Sequence, residues 1–264
     1  MSPSCVFLSV VIFIVSTLYS LPSFSDKLAV DWDANIEHGK VLKHRLFHSK
    51  ITGLSYPYHV YLPVAYSSNS KSYPVIYATD AQWVFNMFAE EADLHSLELI
   101  IIGIEEGPRF SKRRNVDYSF PGQLDYLHFL TKEFIPVIEA EYRIDSNNRS
   151  LQGLSLGGSF VVSALFSPRG EGSYFKNYLS FDAPFQYQSK ELNELIKAHY
   201  QKQSKFDARL FLTSASKGNA RAVQSFSQWL NGLGFNGLDI EYKDFDAEHN
   251  EISNYSLPWV LERL

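Results

Sequence analysis

Apolar and polar positions alternate at a period of two in KVLKHRLFHSK and then in YPYHVYLPVAY, within residues 31–66. That is the spacing of strands whose successive side chains point to opposite faces. The two stretches predict an antiparallel lead-in to a larger sheet. After a polar turn at 67–72 the pattern changes. YPVIYA at 73–78 and LELIIIGIE at 97–105 are continuous apolar runs, as expected of parallel strands covered on both faces, with a helix over about 85–94 between them.

Residues 106–122 read as a long loop carrying Arg109, Arg113, Arg114, Asp117 and Tyr118, and loops of this length at strand ends are where sites are built. From 123 to 142, Leu124, Leu127, Phe134 and Ile138 fall on one helical face, with a kink expected at Pro136. A strand then runs into a helix near 151–166. Strands follow at 177–181, 208–213 and 238–242, with helices near 190–200 and 220–233, the latter with Ala222, Phe226, Leu230 and Leu233 on one face. A loop through 249 and a terminal helix near 257–264 close the chain. Strands and helices alternate through most of this series. It predicts an α/β fold with a mostly parallel central sheet, antiparallel N-terminal strands and helices on both faces.

Composition changes this picture in three places. With 264 residues, 45% of them hydrophobic and 15% aromatic, the chain can bury a large core, and no linker or charge run divides 26–264, which is expected to form one domain. Residues 1–25 differ in kind: the run from Val6 to Leu18 is apolar and no charged side chain precedes Asp26. This reads as a secretory signal peptide, with Ser23-Phe24-Ser25 as the small-x-small cleavage site and Leu18-Tyr19-Ser20 as the alternative. A secreted or periplasmic protein without stable membrane association after cleavage is expected. The lack of Lys or Arg before the apolar run keeps an uncleaved anchor as the competing reading. Cys5, the single cysteine, lies in this segment, which excludes a disulfide framework, a cysteine nucleophile and a thiolate metal site from the rest. A net charge of −5, with cationic residues scattered except at Lys112-Arg113-Arg114, argues against a nucleic-acid partner.

The chemistry centres on LQGLSLGGSF at 151–160, where Gly153-Leu154-Ser155-Leu156-Gly157 is a G-x-S-x-G nucleophile elbow. To lift a serine hydroxyl off a sheet edge the chain must reverse so tightly that the residues two before and two after nearly touch, so both must be very small. Five residues with three fixed positions also arise by chance. The context decides: a polar preface DSNNR, an apolar strand, the elbow and then the apolar helix FVVSALF. Ser155 is the nucleophile candidate, and the backbone N–H of Leu156 at the helix start is a candidate oxyanion donor. The second donor is expected in the loop after 73–78, from Ala81 or Gln82. Trp83, with Phe85 and Phe88, would wall an acyl or aryl pocket if it is not core. Arg113 and Arg114 would bind an anionic or polyhydroxylated substrate if they do not simply anchor the loop through Asp117.

A serine nucleophile needs a base, and only His199 and His249 follow Ser155. His199 falls in a helix far from the sheet edge and reads as packing or surface. His249, in DFDAEHNEI between the last strand and the last helix, is the candidate base. The acid stays open, because residues 214–219, SASKGN, carry no carboxylate. Asp182 at the end of the preceding strand would serve from a shifted position, or Asp244, Asp246 or Glu248 would reach His249 locally. The third possibility is a Ser155–His249 dyad, with Ser214, Ser216 or Asn219 orienting the imidazole.

YPVIYATDAQWVF, IIIGIEEG followed by RRNVDYSFP, FLTKEFIPVIEAEYRID, the elbow, and EHNEISNYSLPWVLERL occur in family order from about residue 40. In these the chain resembles the esterase D-like and enterochelin (trilactone siderophore) esterase-like branch of the α/β-hydrolases. The resemblance implies an α/β-hydrolase fold and a serine esterase, with Ser155 and His249 matching the family nucleophile and base. Ala81 departs from the pattern, since a glycine is common there, and the usual acid post is empty. Similar trilactone esterases look able to work with a dyad. The expected activity is hydrolysis of a small-molecule carboxylic ester through an acyl-enzyme, with no metal or organic cofactor. The alternatives are acyl transfer, or a binding protein that kept the fold and lost the chemistry. Oligomeric state is left open by the sequence.

Overall fold

The computed structural model describes residues 34–108, 111–168, 173–202 and 205–264. The signal peptide expected over 1–25 and the loop residue Arg109 lie outside them. Among the described residues no helix is long and apolar enough to cross a membrane.

Among the described residues, an eight-stranded sheet organises the chain. Its strands are β1 (Lys40–His48), β2 (Ser55–Leu62), β3 (Tyr73–Thr79), β4 (Ile100–Ile104), β5 (Ile144–Leu154), β6 (Asn177–Phe181), β7 (Lys205–Lys217) and β8 (Asn236–Glu248). They lie in the order β1-β2-β4-β3-β5-β6-β7-β8. β2 runs antiparallel to both β1 and β4, and every pair from β4 across to β8 is parallel. β3 has β4 on one side and β5 on the other, so the winding reverses there. At such a reversal the connections leave in opposite directions and open a crevice at the carboxyl ends of the strands.

The helices are α1 (Ala81–Leu94), a single turn α2 (Arg114–Asp117), α3 (Gln123–His128), α4 (Ile135–Glu141), α5 (Leu156–Phe166), α6 (Ser189–Lys202), α7 (Ala220–Gly232) and α8 (Ile252–Leu261). α5 is apolar on all sides and nearly every residue in it is buried, as an all-round apolar helix must be. It packs in one aromatic core in which Tyr56 stacks on Phe129 at 4.4 Å and Tyr118 on Phe160 at 5.6 Å. In α7 the buried face is Val223, Phe226, Ser227 and Leu230, one position away from the expected Ala222.

The helix expected over 123–142 is instead α3, a π-helical stretch Phe129–Phe134, and α4. Pro136 sits in the first turn of α4, directly after the widened turns. A proline ring collides with the carbonyl four residues earlier in a regular helix, and wider turns relieve that conflict. The change of pitch also rotates the apolar face. Tyr126, Leu127, Phe129, Leu130, Phe134, Ile135 and Ile138 are buried while Leu124 stays 39% exposed. The terminal helix starts at Ile252, five residues before the expected 257.

Asp93, near the end of α1, fastens the start of the described chain. Its carboxylate accepts the backbone N–H groups of Glu37 (2.7 Å), His38 (3.1 Å) and Gly39 (2.6 Å) and the Tyr61 hydroxyl (3.3 Å). Burial pushes this carboxyl up, but the donors from Gly39, Glu37, His38 and Tyr61 outweigh it and hold it below its ordinary value. A carboxylate depressed in the folded state stabilises the fold above the unfolded value near ~3.9, and that stability is lost as pH falls through the folded value. Asp93→Asn should therefore lower stability by about 1–3 kcal/mol at neutral pH. In urea unfolding over a pH series, its gap to wild type should close below about pH 4.

Candidate active site

The three strands around the winding reversal end in the same unusual way. Asp80 after β3 has φ 55°, Ser155 after β5 has φ 56°, and Asp182 after β6 has φ 44°. Side chains other than glycine rarely occupy this left-handed region, and such residues collect at functional sites. Each turns its strand sharply off the sheet edge, so three polar side chains stand side by side along it.

Ser155 caps α5 with ψ −122°, and its N–H donates to Phe181 O at 2.8 Å. That bond pins the elbow to the residue just before Asp182. Its own carbonyl accepts from Gly158 N (2.8 Å) and Ser159 N (3.2 Å), closing the first turn of α5. The Leu156 N–H is the first of the helix, a position with no intrahelical acceptor. A Cβ on Gly153 would lie 2.2 Å from Gly157 O, so the bend tolerates nothing larger than hydrogen there. A Cβ on Gly157 would stand 2.9 Å from Thr79 Oγ1 and 3.4 Å from an Asp80 carboxylate oxygen.

Asp182 is fully buried. Its carboxylate accepts the Ala215 N–H at 3.0 Å, the Asn219 N–H at 3.0 and 3.2 Å, and His249 Nδ1–H at 2.5 Å. The Asn219 side-chain amide donates to the Asp182 backbone carbonyl at 2.9 Å. So the segment 214–219 supplies donors, not an acid, to a carboxylate reaching across from the neighbouring strand. Gly218 permits this, because a Cβ there would fall 2.2 Å from Asp182 Oδ2.

The other candidate acids are occupied elsewhere. β7 and β8 run beyond the lengths expected for them and form a polar ribbon. Ser214 Oγ donates to Asp244 (2.5 Å), Ser216 Oγ donates to Asp246 (3.0 Å), and Lys217 pairs with Glu248 (3.3 Å). The ribbon carries His249 forward to Asp182. The His249 side chain is 40% exposed and Ser155 is half-buried. No hydrogen bond joins these two side chains among the described residues. Serine and histidine often close on each other only when substrate is bound. His199 belongs to packing: it stacks on Phe206 at 4.9 Å, and its Nδ1 lies 3.2 Å from Phe166 O.

Ala81 and Gln82 open α1 directly after Asp80. Asp80 takes the left-handed turn itself, so Ala81 needs only helical backbone and no glycine is required. The Gln82 side chain accepts the Glu106 N–H at 3.1 Å. Arg113 and Arg114 both meet carboxylates of the protein: Arg113 Nε donates to Asp117 at 2.7 Å, and Arg114 donates through Nε (3.1 Å) and Nη2 (2.8 Å) to Asp80. Trp83 is 59% exposed, outside the core, with the Arg114 guanidinium 5.1 Å from its ring. Burial raises the Asp80 carboxyl against the pull of Arg114. Among the described residues no cluster of His, Cys, Asp and Glu could hold a metal ion.

Residues 49–171 match the model of the family described as “Putative esterase”. In structure the chain is similar to an IroE-like serine hydrolase from Shewanella oneidensis, with TM-score 0.72, 22% identity, 85% of this chain and 79% of that one covered. It is likewise similar to the enterobactin and salmochelin hydrolase IroE, with TM-score 0.65, 19% identity and coverages of 91% and 98%. The chain has the α/β-hydrolase fold. In sequence it is similar to ferri-bacillibactin esterase BesA of Bacillus subtilis (strain 168), 28% identical, covering 36% of this chain and 43% of the relative. The chain spans less than half the length of the curated relatives it matches. The matched family segment holds Asp80 and the elbow, while Asp182 and His249 lie beyond it.

In this α/β-hydrolase elbow the backbone leaves no room at Gly153. Gly153→Ala should lower unfolding free energy by about 3 kcal/mol, the upper end of the usual overpacking cost, because the clash is with backbone. Gly232→Ala, near the end of α7 with nothing within 4 Å of the added carbon, should be neutral or slightly stabilising. Urea unfolding of the pair checks the contrast.

Proposed function

We propose that this protein is a serine carboxylic ester hydrolase working through a Ser155, His249 and Asp182 triad. The observation that carries the reading is the His249 Nδ1–Asp182 bond, formed at the strand end next to the elbow. With Nδ1–H donated to the carboxylate, Nε2 carries the lone pair and is the atom able to accept the serine proton.

In the proposed reaction the Ser155 Oγ–H proton passes to His249 Nε2 as Oγ bonds to the ester carbon. The carbonyl π electrons move onto oxygen. Leu156 N–H and the N–H of Ala81 or Gln82 stabilise that oxyanion. Collapse breaks the bond to the leaving alkoxide, which takes the proton from His249 and departs as alcohol. Water then repeats the sequence on the acyl-enzyme, releasing the acid and restoring Ser155. Asp182 holds the imidazole in one tautomer and stabilises its charged form.

The match to the esterase family and to relatives named as ferri-bacillibactin and enterobactin hydrolases supports a small-molecule ester as substrate. The apolar run within 1–25 supports secretion or a periplasmic location. Segment 214–219 carries no carboxylate, but Asp182 bonds His249 from the neighbouring strand end, which supports the enzyme reading over the alternative of a binding protein that kept the fold and lost the chemistry.

Ser155→Ala should lose nearly all turnover of p-nitrophenyl butyrate while keeping its melting temperature, and should resist labelling by a fluorophosphonate that modifies wild type at Ser155. Asp182→Asn should lower kcat by roughly 10⁴-fold. Undiminished turnover in Ser155→Ala would refute the assignment.

A further inference from the structure

Arg114 is a cation near the elbow that the proposed triad does not use. Its side chain is only 18% exposed, and Nε and Nη2 are both committed to Asp80. Its guanidinium lies between two rings, 5.1 Å from the centre of Trp83 and 5.6 Å from that of Tyr118. Tyr118 in turn stacks on Phe160 of α5. The cation therefore rests on a ring that packs against the helix following Ser155, while it grips the residue that precedes Ala81 and Gln82.

Asp80 is fully buried and left-handed, a conformation that costs about 1–3 kcal/mol unless the surroundings enforce it. The bidentate fork of Arg114 fixes the plane of its carboxylate, which abuts Gly157 of the elbow. The direction of the next two N–H groups depends on that turn. Gln82 is braced independently through Glu106 N–H.

We propose that the Arg114–Asp80 pair is a positioning device for the oxyanion hole: it locks the left-handed turn that aims the Ala81 and Gln82 N–H groups at the carbonyl attacked by Ser155. Arg114 is thus assigned to the enzyme's own machinery and not to an anionic substrate. The inference rests on the serine hydrolase reading above, and the experiment separates the two. Turnover by wild type and its loss in Ser155→Ala test that reading first, and the Arg114 variants are then compared within an active enzyme.

Kinetics would be measured for wild type, Arg114→Ala, Arg114→Lys and Asp80→Asn with neutral p-nitrophenyl butyrate and anionic mono-p-nitrophenyl succinate. Melting temperatures would be taken alongside. The expected result for Arg114→Ala is a kcat loss of roughly 10²-fold, the size of losing one oxyanion donor, equal for both esters and with KM within about threefold of wild type. Arg114→Lys should recover only part of kcat, because an ammonium cannot reproduce the two-pronged grip. Asp80→Asn should fall with Arg114→Ala, and the double variant should be no worse than either single one. A rise in KM confined to the anionic ester, with kcat intact, would make Arg114 a substrate anchor and overturn the proposal. So would unchanged kinetics, or a kcat loss that disappears when assayed at a temperature well below the melting point of each variant.

Discussion

A carboxylate without access to water is tolerable only where donors surround it, and Asp182 meets that condition with N–H groups from Ala215, Asn219 and His249. Much of the neighbouring chain is shaped by this requirement. Gly218 is small because the turn must press against the carboxylate, and Asn219 heads α7 with its amide turned back to the Asp182 carbonyl. The β7–β8 ribbon extends past the rest of the sheet, which is how a residue following the last strand reaches a position beyond β6. Removing the carboxylate would strand several donors at once, so its structural and chemical parts cannot be separated by simple truncation. Asparagine, which keeps the shape, separates them better.

The second constraint is backbone strain shared by adjacent strands. Asp80, Ser155 and Asp182 follow β3, β5 and β6, which lie next to one another, and all three have positive φ without being glycine. At about 1–3 kcal/mol each, such conformations persist only where rigid packing leaves no alternative. The packing is visible below them: α5 is buried along nearly its whole length, and the Tyr56, Tyr118, Tyr126, Phe129 and Phe160 rings interlock against it. The apolar mass of the core is what holds the polar edge in an unfavourable shape.

Periodicity made the architecture legible, because a parallel sheet and its helices announce themselves through apolar runs and helical faces. The elbow was legible for a different reason: Gly153 and Gly157 are demanded by a contact within five residues, so the pattern is local. The partner of His249 was not, since Asp182 and His249 are 67 positions apart and nothing local links them. The true extent of β7 and β8 was hidden as well. Their extensions pair Ser214 with Asp244 and Ser216 with Asp246, polar partners whose text resembles a loop. Leu124 was misplaced because a π-helical stretch shifts the helical phase, and only Pro136 hinted at it. The two arginines illustrate a further limit. Sequence placed them near the site, but whether a guanidinium meets substrate or an internal carboxylate depends on where Asp80 and Asp117 stand.

The arrangement divides labour between fixed and adjustable parts. Ser155, Leu156, Ala81 and Gln82 all sit on the edge of neighbouring strands or in the first turn of the helices that follow them, tied by backbone hydrogen bonds and by the Arg114–Asp80 pair. Donors fixed in this way do not have to reorganise when charge develops on the substrate oxygen, which is where electrostatic stabilisation gains its size. His249 is different: it is held at one nitrogen by Asp182 while its ring is 40% exposed on a ribbon beyond the sheet. The base role proposed for His249 requires it to approach the serine, take a proton and deliver it to a leaving group in another place, so some freedom about a single fixed bond suits that role. In the proposed mechanism the oxyanion donors are held in place by strain and packing, and the proton carrier is tethered by one hydrogen bond.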